Sequence, residues 1–161
     1  MIRIAFVNNQ DGSGKTSLVY HLAWMFGELG CRVLMADLDP QARLSIMALD
    51  EERLEKLWTH DDHPATLSGA LELLFDGTGD IRDAQVEPIT ERVALLVGDL
   101  ALARLEEALS AAWPRCLEGA ERAFQVTSSL WRLIERAARG YEAEVVLIDV
   151  GPNLGAINRA A

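Results

Sequence analysis

Apolar residues occur in short, nearly unbroken runs that alternate with longer segments in which apolar residues recur every three or four positions. The runs cover residues 2–7, 32–38, 93–97 and 144–150. Short runs that are apolar throughout are typical of strands buried on both faces, and the longer segments have the periodicity of amphipathic helices. The alternation predicts an α/β fold in which a parallel sheet is flanked by helices on both faces.

The segments between the runs predict helices. These helices cover residues 16–29, 43–57, 66–75, 100–113 and 117–139. Gly30 is expected to end the first helix, and Thr66 or Ser68 to cap the third. Residues 58–64, WTHDDHP, are predicted to form a polar loop without a metal site, because consecutive polar residues before a proline are typical of a solvated turn.

The predicted helix over residues 117–139 has an apolar stripe. Its inner face comprises Ala120, Phe124, Leu130, Leu133, Ile134 and Ala137. Trp131 is expected to pack in the core rather than to stack on a nucleic-acid base, since it belongs to that stripe in an acidic protein. Gly140 is expected to end the helix.

The polar stretch NNQDGSGKTS, residues 8–17, joins the first strand to the first helix. Gly12 and Gly14 allow backbone turns that other residues rarely adopt, and unpaired N–H groups at the start of the helix then face the loop. Together with the Lys15 ammonium they suit a di- or triphosphate, and the Thr16 hydroxyl suits a Mg²⁺ position. The stretch departs from the usual formula G-x-x-x-x-G-K-[ST] at the first glycine, where this chain has an asparagine. We predict a phosphate-binding loop.

Acidic residues lie at the ends of two predicted strands. Asp37 and Asp39 alternate at the end of the second strand, and Asp149 lies at the end of the last one. Ligands of open parallel sheets bind at the carboxyl ends of the strands, so these side chains are expected near the loop. Asp149 has the Walker B position and would hold Mg²⁺ directly or through water. The Asp-x-Asp pair also fits ordinary turn chemistry before Pro40, but beside a phosphate loop we favour metal or water handling.

Composition limits the partners and the compartment. The 161 residues suffice for one domain with a sizeable core, and a net charge of −10 argues against a strong non-specific hold on nucleic acid or an anionic membrane by this stretch as a whole. Cys31 and Cys116 are isolated and are expected to be buried thiols in a reducing compartment. The first apolar run is too short for a signal peptide or a membrane span, so we expect a cytoplasmic protein.

Three ordered motifs resemble the ParA/MinD family of deviant-Walker ATPases, and within it the ParA (Soj-like) branch of plasmid and chromosome partition proteins. The loop NNQDGSGKTS resembles that family's N-Q-K-G-G-x-G-K-T-T, and RVLMADLDPQ resembles its R-V-L-L-V-D-x-D-P-Q. The segment YEAEVVLIDVGPNLGAIN resembles Y-D-Y-I-L-I-D-x-P-P-S-L-x-x-L-x-x-N. Weaker likeness at residues 66–67 and 81–84 and in VALLVGDLALARLE extends the resemblance nearly end to end. Three motifs in this order are far more specific than any one of them.

The resemblance implies a P-loop ATPase with ATP and Mg²⁺ as its cofactors. Lys15, contacting the β- and γ-phosphates, and Asp39, orienting the attacking water, would be the catalytic residues. The nucleotide would be bound by Gln10, Asp11, Gly12, Ser13, Gly14, Lys15, Thr16 and Ser17. The metal would be held or supported by Thr16, Asp37, Asp39 and Asp149. In the family, ATP joins two subunits into a homodimer that binds DNA non-specifically on the nucleoid, and a partner bound to a centromere-like site stimulates hydrolysis.

The chain departs from that family at two positions of the loop. The signature lysine, which reaches the other subunit's nucleotide, corresponds to Gln10, and the following glycine corresponds to Asp11. Gln10 brings no positive charge to the phosphates and Asp11 adds a negative one. Loss of such a charge-assisted contact would slow hydrolysis by roughly 10²- to 10³-fold. We therefore expect a weak ATPase, or a nucleotide switch that hardly turns over.

Family members also continue well beyond the position of Ala161. Residues 1–161 are therefore expected to be the N-terminal part of a single P-loop nucleotide-binding domain, truncated on its C-terminal side, with a last helix that begins near Leu154. The strand from Ile2 would be internal in the full fold and would have one unpaired edge here. An unpaired edge predicts self-association, and we also expect weak ATP binding.

Two other functions stay open beside a ParA-like switch in DNA partition. A small-molecule kinase or a carboxylate-activating synthetase on the same scaffold would also use GKT and strand-end aspartates, but its substrate pocket should contain extra basic residues. The only lysines of the chain are Lys15 and Lys56. A regulator that binds nucleotide without hydrolysing it is suggested by Gln10 and Asp11.

Overall fold

The computed structural model describes residues 1–58, 65–152 and 155–161. The strands in these ranges are β1 (Ile2–Phe6), β2 (Val33–Leu38), β3 (Glu87–Pro88), β4 (Val93–Leu96) and β5 (Val145–Val150). They form one sheet in the order β1-β5-β2-β4-β3, in which β3 is antiparallel to β4 and the other pairs are parallel. The predicted parallel sheet is confirmed. β3 was not predicted, because a two-residue strand has no pattern of its own.

Helices cover both faces of the sheet, as predicted. The helices are α1 (Lys15–Glu28), α2 (Arg43–Ala48), α3 (Glu51–Trp58), α4 (Leu67–Phe75), α5 (Leu102–Leu117), α6 (Glu121–Thr127), α7 (Ser129–Gly140) and α8 (Ala156–Ala160). Successive residues of β2 point to opposite faces. Leu34 and Ala36 pack beneath α4 to α8, and Val33 and Met35 pack beneath α1 to α3. None of the helices in the described ranges has the length and apolar character needed to cross a membrane.

The prediction that the first strand is buried is wrong for this chain. Among the described residues β1 pairs only with β5, and Ile2 is 63% exposed and Ile4 37% exposed. By contrast, β5 and β2 each have a strand on both sides and are buried throughout. The expected unpaired edge is therefore present at β1, and self-association through it stays a prediction.

Two predicted helices are each divided by a local backbone feature. Leu49 is extended (φ −119°, ψ 147°) and separates α2 from α3. Further along, α5 continues through Pro114 past its predicted end, and Gly119 with φ +76° separates it from α6. The Ser128 hydroxyl, between α6 and α7, donates to the carbonyl oxygen of Phe124 at 2.7 Å. The Ser128 N–H also donates to that oxygen at 3.0 Å, so the helical hydrogen bond is kept across this one-residue interruption.

The buried face of α6 and α7 differs in part from the predicted one. Phe124 is 52% exposed and Trp131 is 51% exposed, so the prediction that both pack in the core is wrong. The two aromatic residues lie seven positions apart and so share one helix face, whereas Ala123 and Val126 of α6 lie seven and four positions before Leu130 and share its buried face. Buried positions that were predicted correctly are Leu130, Leu133, Ile134 and Ala137. Cys31 and Cys116 are half-buried, not buried as expected.

Helix ends follow their sequence signals more closely than helix interiors do. Gly30 has φ +92° just after α1, and Gly140 is the last residue of α7, both as predicted. Thr66 caps α4 by accepting a hydrogen bond from the Gly69 N–H at 3.3 Å, which decides between the two predicted caps.

Two expectations fall on residues outside the described ranges. Within the predicted polar loop 58–64, only Trp58 is described, and it is the last residue of α3. Leu154, where the last helix was expected to begin, is also outside, and the described helix α8 begins at Ala156.

Candidate phosphate-binding site

The carboxyl ends of three neighbouring strands meet beside the glycine-containing loop. Phe6 of β1 lies opposite Asp149 of β5, and Asp149 lies opposite Asp37 of β2. The chain leaves β1 after Phe6 and enters α1 at Lys15. Because the strands are parallel and in register, the loop and both strand-end aspartates are brought to one edge of the sheet.

A cavity of about 300 Å³ opens at this edge. It is lined by Asp11, Gly12, Ser13, Gly14, Lys15, Thr16, Ser17, Asp39, Arg43, Met47 and Pro152. All the predicted nucleotide-binding residues except Gln10 therefore line it. Gln10 is exposed, and its backbone N–H donates to the Asn8 side chain at 3.0 Å.

The loop glycines are required by backbone conformation. Gly12 has φ +69° and Gly14 has φ +81°, and an added Cβ would meet no atom within 4 Å at either position. Residues with side chains rarely adopt such φ values, so glycine is favoured even though space is available. Gly14 precedes α1 without a side-chain cap, and no acidic residue lies in the first turn. The positive end of this 14-residue helix is thus available to an anion.

Asp149 is buried without a hydrogen-bond partner. The residue has 0% exposure, and both of its carboxylate oxygens lack a partner among the described residues. Burial raises the pKa of Asp149, and the neighbouring Asp39 raises it further, while Thr16, Lys15 and Arg43 act in the opposite direction. Thr16 is thus close to Asp149, although its hydroxyl lies outside hydrogen-bond geometry. A buried carboxylate without a partner is costly unless a cation or donor satisfies it, which fits a metal ion between Thr16 and Asp149.

The donor set suits magnesium in particular. In the part of the chain that the structure describes, no three His, Cys, Asp or Glu side chains are grouped to hold a metal by themselves. Magnesium commonly binds through one or two carboxylates, with water and substrate phosphates as its other ligands. Asp149 and the Thr16 hydroxyl beside the phosphate loop match that mode of binding.

Asp39 and Asp37 have different surroundings. Asp39 lines the cavity, and its Oδ1 accepts the Gln41 N–H at 3.0 Å in an Asx turn. Asp37 is not among the lining residues, and its Oδ2 accepts the Ser45 N–H at 2.8 Å and the Ser45 hydroxyl at 2.7 Å. Burial raises the pKa of Asp37 to about 7 against those hydrogen bonds. Asp39 therefore both stabilises the turn after β2 and lines the cavity. A metal role for Asp37 stays a prediction.

Arg43 is a residue of the cavity that the sequence patterns did not indicate. Its guanidinium forms a bidentate ion pair with Asp11, in which Nη1 donates to Oδ1 and Nη2 donates to Oδ2 at 3.0 Å. The Gly12 N–H also donates to Asp11 Oδ1 at 2.8 Å. The Arg43 guanidinium and this N–H hold the pKa of Asp11 at about 2. The only sequence signal for Arg43 was that a lone arginine follows the Asp-x-Asp motif. An arginine at such a position usually lies on the surface of a helix.

Comparison with known proteins gives the family. The sequence profile of the AAA_31 family, described as an AAA domain, matches residues 1–161. A putative replication protein A of Rhizobium rhizogenes is 32% identical over 167 residues, which cover 98% of this chain and 36% of that protein. Protein IncC of Escherichia coli is 32% identical over 155 residues, which cover 96% of this chain and 36% of that protein. The chain spans about a third of the length of these relatives.

Solved structures share the architecture over about half of their own length. Protein DIP2308 of Corynebacterium diphtheriae has a TM-score of 0.88 and 29% identity, covering 99% of this chain and 55% of that one. Cobyrinic acid a,c-diamide synthase of Mycobacterium smegmatis, with bound ADP and magnesium, has a TM-score of 0.64 and 27% identity. The match covers 98% of this chain and 54% of that one. A putative plasmid partition protein of Borrelia burgdorferi bound to AMPPNP, at 22% identity and a TM-score of 0.67 over 99% and 56%, shows the fold alone. The chain therefore belongs to the AAA_31 family, and the ParA/MinD-like resemblance of its motifs is confirmed.

Proposed function

We propose that the chain is the nucleotide-binding part of a ParA-like switch protein that binds and hydrolyses ATP in the partition of plasmids or chromosomes. The proposal is based on the convergence of loop residues 11–17 and Asp39 on one cavity, with the unpartnered Asp149 carboxylate beside Thr16. It is supported by relatives named replication protein A and IncC and by the shared fold of a plasmid partition protein.

The residues of the cavity have complementary roles in this proposal. Loop N–H groups and the Lys15 ammonium bind the β- and γ-phosphates. Thr16 and Asp149 hold Mg²⁺, and Asp39 lies near Asp149. Asp37, which lies in register with Asp149 on the neighbouring strand, supports the metal side of the site. When bound, the ion neutralises charge on the phosphates. Asp39, nearly buried at the cavity wall, orients the attacking water.

Hydrolysis is expected to be slow. Gln10 is uncharged and does not line the cavity, so the position of the family's signature lysine adds no cation to the phosphates. Gln10→Lys should raise the rate of phosphate release, by up to roughly 10²-fold if the lysine acts like other transition-state donors. Brisk turnover by the wild type, unchanged by the substitution, would contradict this expectation.

The whole protein is proposed to act as a cytoplasmic, nucleoid-associated homodimer. Ile46 and Met47, on α2 beside the cavity, are 54% and 40% exposed, and Leu100 across from α2 is 78% exposed. A dimer formed over the cavity would cover these apolar side chains. Non-specific DNA binding and response to a centromere-bound partner are assigned to the assembled protein, because this part has a net charge of −10.

Calorimetric titration with Mg·ATP tests the nucleotide site, and the two lysines of the chain provide a matched pair of variants. Lys15→Ala removes the cation of the loop and should abolish measurable binding. Lys56→Ala removes an exposed lysine that pairs with Glu52 on α3, and should leave binding unchanged. Undiminished Mg·ATP affinity in Lys15→Ala would overturn the proposed function.

A second candidate is a small-molecule synthetase on the same scaffold, favoured by the likeness to cobyrinic acid a,c-diamide synthase. Phosphate release distinguishes the two candidates. A partition switch releases phosphate from ATP without any small-molecule acceptor, whereas a synthetase requires its carboxylate substrate. Binding without turnover, even with DNA and a partner protein present, would instead select a non-hydrolysing regulator.

A further inference from the structure

Asp11 and Arg43 form their ion pair inside the cavity that the proposed function assigns to phosphates. Both Nη atoms of Arg43 donate to the Asp11 carboxylate, and Oδ1 of that carboxylate also accepts the Gly12 N–H at 2.8 Å. The carboxylate therefore accepts hydrogen bonds from a guanidinium and from a loop amide, and these donors are engaged. These are the two kinds of donor that bind phosphate oxygens in such loops.

The pair also determines how much positive charge the cavity offers. Among the residues that the structure describes, those that line it with a charge are Lys15 and Arg43 on the positive side and Asp11 and Asp39 on the negative side. With Asp11 on Arg43, one of these two cations is already neutralised. The Arg43 and Asp11 side chains are 39% and 58% exposed, so water reaches the pair. Ion pairs in contact with water are weak and readily exchange partners.

The Arg43 guanidinium has a second partner besides Asp11. Arg43 is the first residue of α2, and its Nε donates to Oε1 of Gln41 at 2.9 Å. Nη2 also donates to that oxygen at 2.5 Å, so Gln41 holds the guanidinium plane while both Nη groups donate to Asp11 at the cavity. A nucleotide polyphosphate carries more charge than one carboxylate and also accepts two parallel N–H bonds from arginine. It is therefore the stronger partner for Arg43.

We propose that Arg43 is a polyphosphate-binding residue of this cavity and that the Asp11 carboxylate is its internal competitor. The proposal rests on the proposed nucleotide-binding function and adds a second cation to a site in which Gln10 replaces the family's signature lysine. Without nucleotide, Asp11 occupies the position of a phosphate oxygen. On binding, the guanidinium and the Gly12 N–H pass from Asp11 to the nucleotide.

A double-mutant cycle on the full 161-residue chain tests the exchange. Affinities for Mg·ATP and for magnesium tripolyphosphate are measured by calorimetry in the wild type, Asp11→Asn, Arg43→Ala and the double variant. Asparagine keeps an oxygen for the Gly12 N–H but removes the negative charge. Asp11→Asn should bind roughly 3- to 10-fold more tightly, and Arg43→Ala roughly fivefold more weakly. Both ligands should respond alike, because the contact is to phosphate.

The decisive comparison is the effect of Arg43→Ala once Asp11 has been replaced by asparagine. If Arg43 binds phosphate, its removal in that background weakens binding by roughly tenfold, more than in the wild type, since no competitor remains. If Arg43 only neutralises Asp11, its removal there has no effect, and the proposal is overturned. An affinity of Asp11→Asn equal to or lower than that of the wild type also overturns it.

A second ion pair provides matched controls. Arg132 donates to Asp80 through Nη1 at 2.7 Å and Nη2 at 2.8 Å, and neither residue lines the cavity. Asp80→Asn and Arg132→Ala should leave both affinities unchanged, and thermal unfolding shows that each variant is folded. If binding depends on Lys15 but the cycle fails, only the competitor proposal is lost. Binding that does not depend on Lys15 overturns the proposed function itself.

Discussion

Two aspartates occupy equivalent places on neighbouring strands and have opposite surroundings. Asp37 of β2 and Asp149 of β5 lie in register, and both have 0% exposure. The carboxylate of Asp37 accepts hydrogen bonds from Ser45 and from the Asp39 N–H, whereas both oxygens of Asp149 lack a partner among the described residues. Burial alone thus does not identify a site. The hydrogen bonds of Asp37 are made within the fold, whereas the carboxylate of Asp149 has no such partner and is the one for which we propose a metal ion.

The satisfied aspartate also positions the site. The Gly98 N–H donates to Ser45 Oγ at 3.0 Å, and a Cβ on Gly98 would lie 2.6 Å from the Asp37 carbonyl oxygen. Asp37 therefore ties the end of β2 to α2 and to the segment after β4. Because Arg43 begins α2, the packing around Asp37 also fixes where the guanidinium enters the cavity.

The largest expected effect is a loss of stability in Asp37→Ala. Without the carboxylate, the Ser45 and Asp39 N–H groups are buried without an acceptor, which should lower the free energy of unfolding by about 3 kcal/mol. Urea denaturation at pH 5, where the native carboxyl is protonated, measures this loss without a contribution from a buried charge. Asp149→Ala is the matched variant and should lose much less. Equal losses would remove the distinction between the two aspartates.

The next effect is on magnesium binding in Asp149→Asn. Mg²⁺ should raise the affinity of the wild type for ATP, and the ratio of the affinities with and without Mg²⁺ measures that gain. Replacing the unpartnered carboxylate should lower this ratio by roughly 10- to 100-fold, since the amide is a poor ligand for a hard cation. The free energy of unfolding should stay the same or increase, because a buried charge without a partner is removed. Titration with ATP in magnesium and in EDTA gives the ratio. An unchanged ratio would place the metal elsewhere.

Sequence patterns predicted those features of the site that depend on one continuous segment. The strands, the loop, Lys15, Thr16 and Asp149 are recognisable because an apolar run followed by a glycine loop or an acidic end has a local signature. The four parallel strands and the placement of the loop at their carboxyl ends are confirmed.

Features that depend on distant partners were not predictable in this way. Arg43 belongs to the site only because the fold brings it to Asp11, which lies 32 positions earlier. The acceptor role of Asp37 depends on Ser45, which returns to it after a turn at Ala42 with φ 49°, a conformation that alanine seldom adopts. Trp131 was misplaced because it was grouped with the stripe of Leu130, although it lies seven positions after Phe124 and shares the exposed face of that residue.

The smallest effect is on the pH dependence of stability. Burial raises the pKa of Asp37 from 3.8 to about 7, so between these values the native chain holds a proton that the unfolded chain releases. Stability from this group is complete at low pH and falls as pH rises, by about 1.5 kcal/mol between pH 5.5 and 7. Asp11 and Asp80, with pKa values of about 2, add nothing in this window. Asp37→Asn should remove this part of the decline in the free energy of unfolding. Urea denaturation at several pH values measures the decline in both proteins.

Burial also raises the pKa of Asp149, so Asp149→Asn should act in the same direction. If Asp37→Asn keeps the slope of the wild type, the Asp37 carboxyl is ionised throughout this range and the Ser45 hydrogen bonds outweigh its burial.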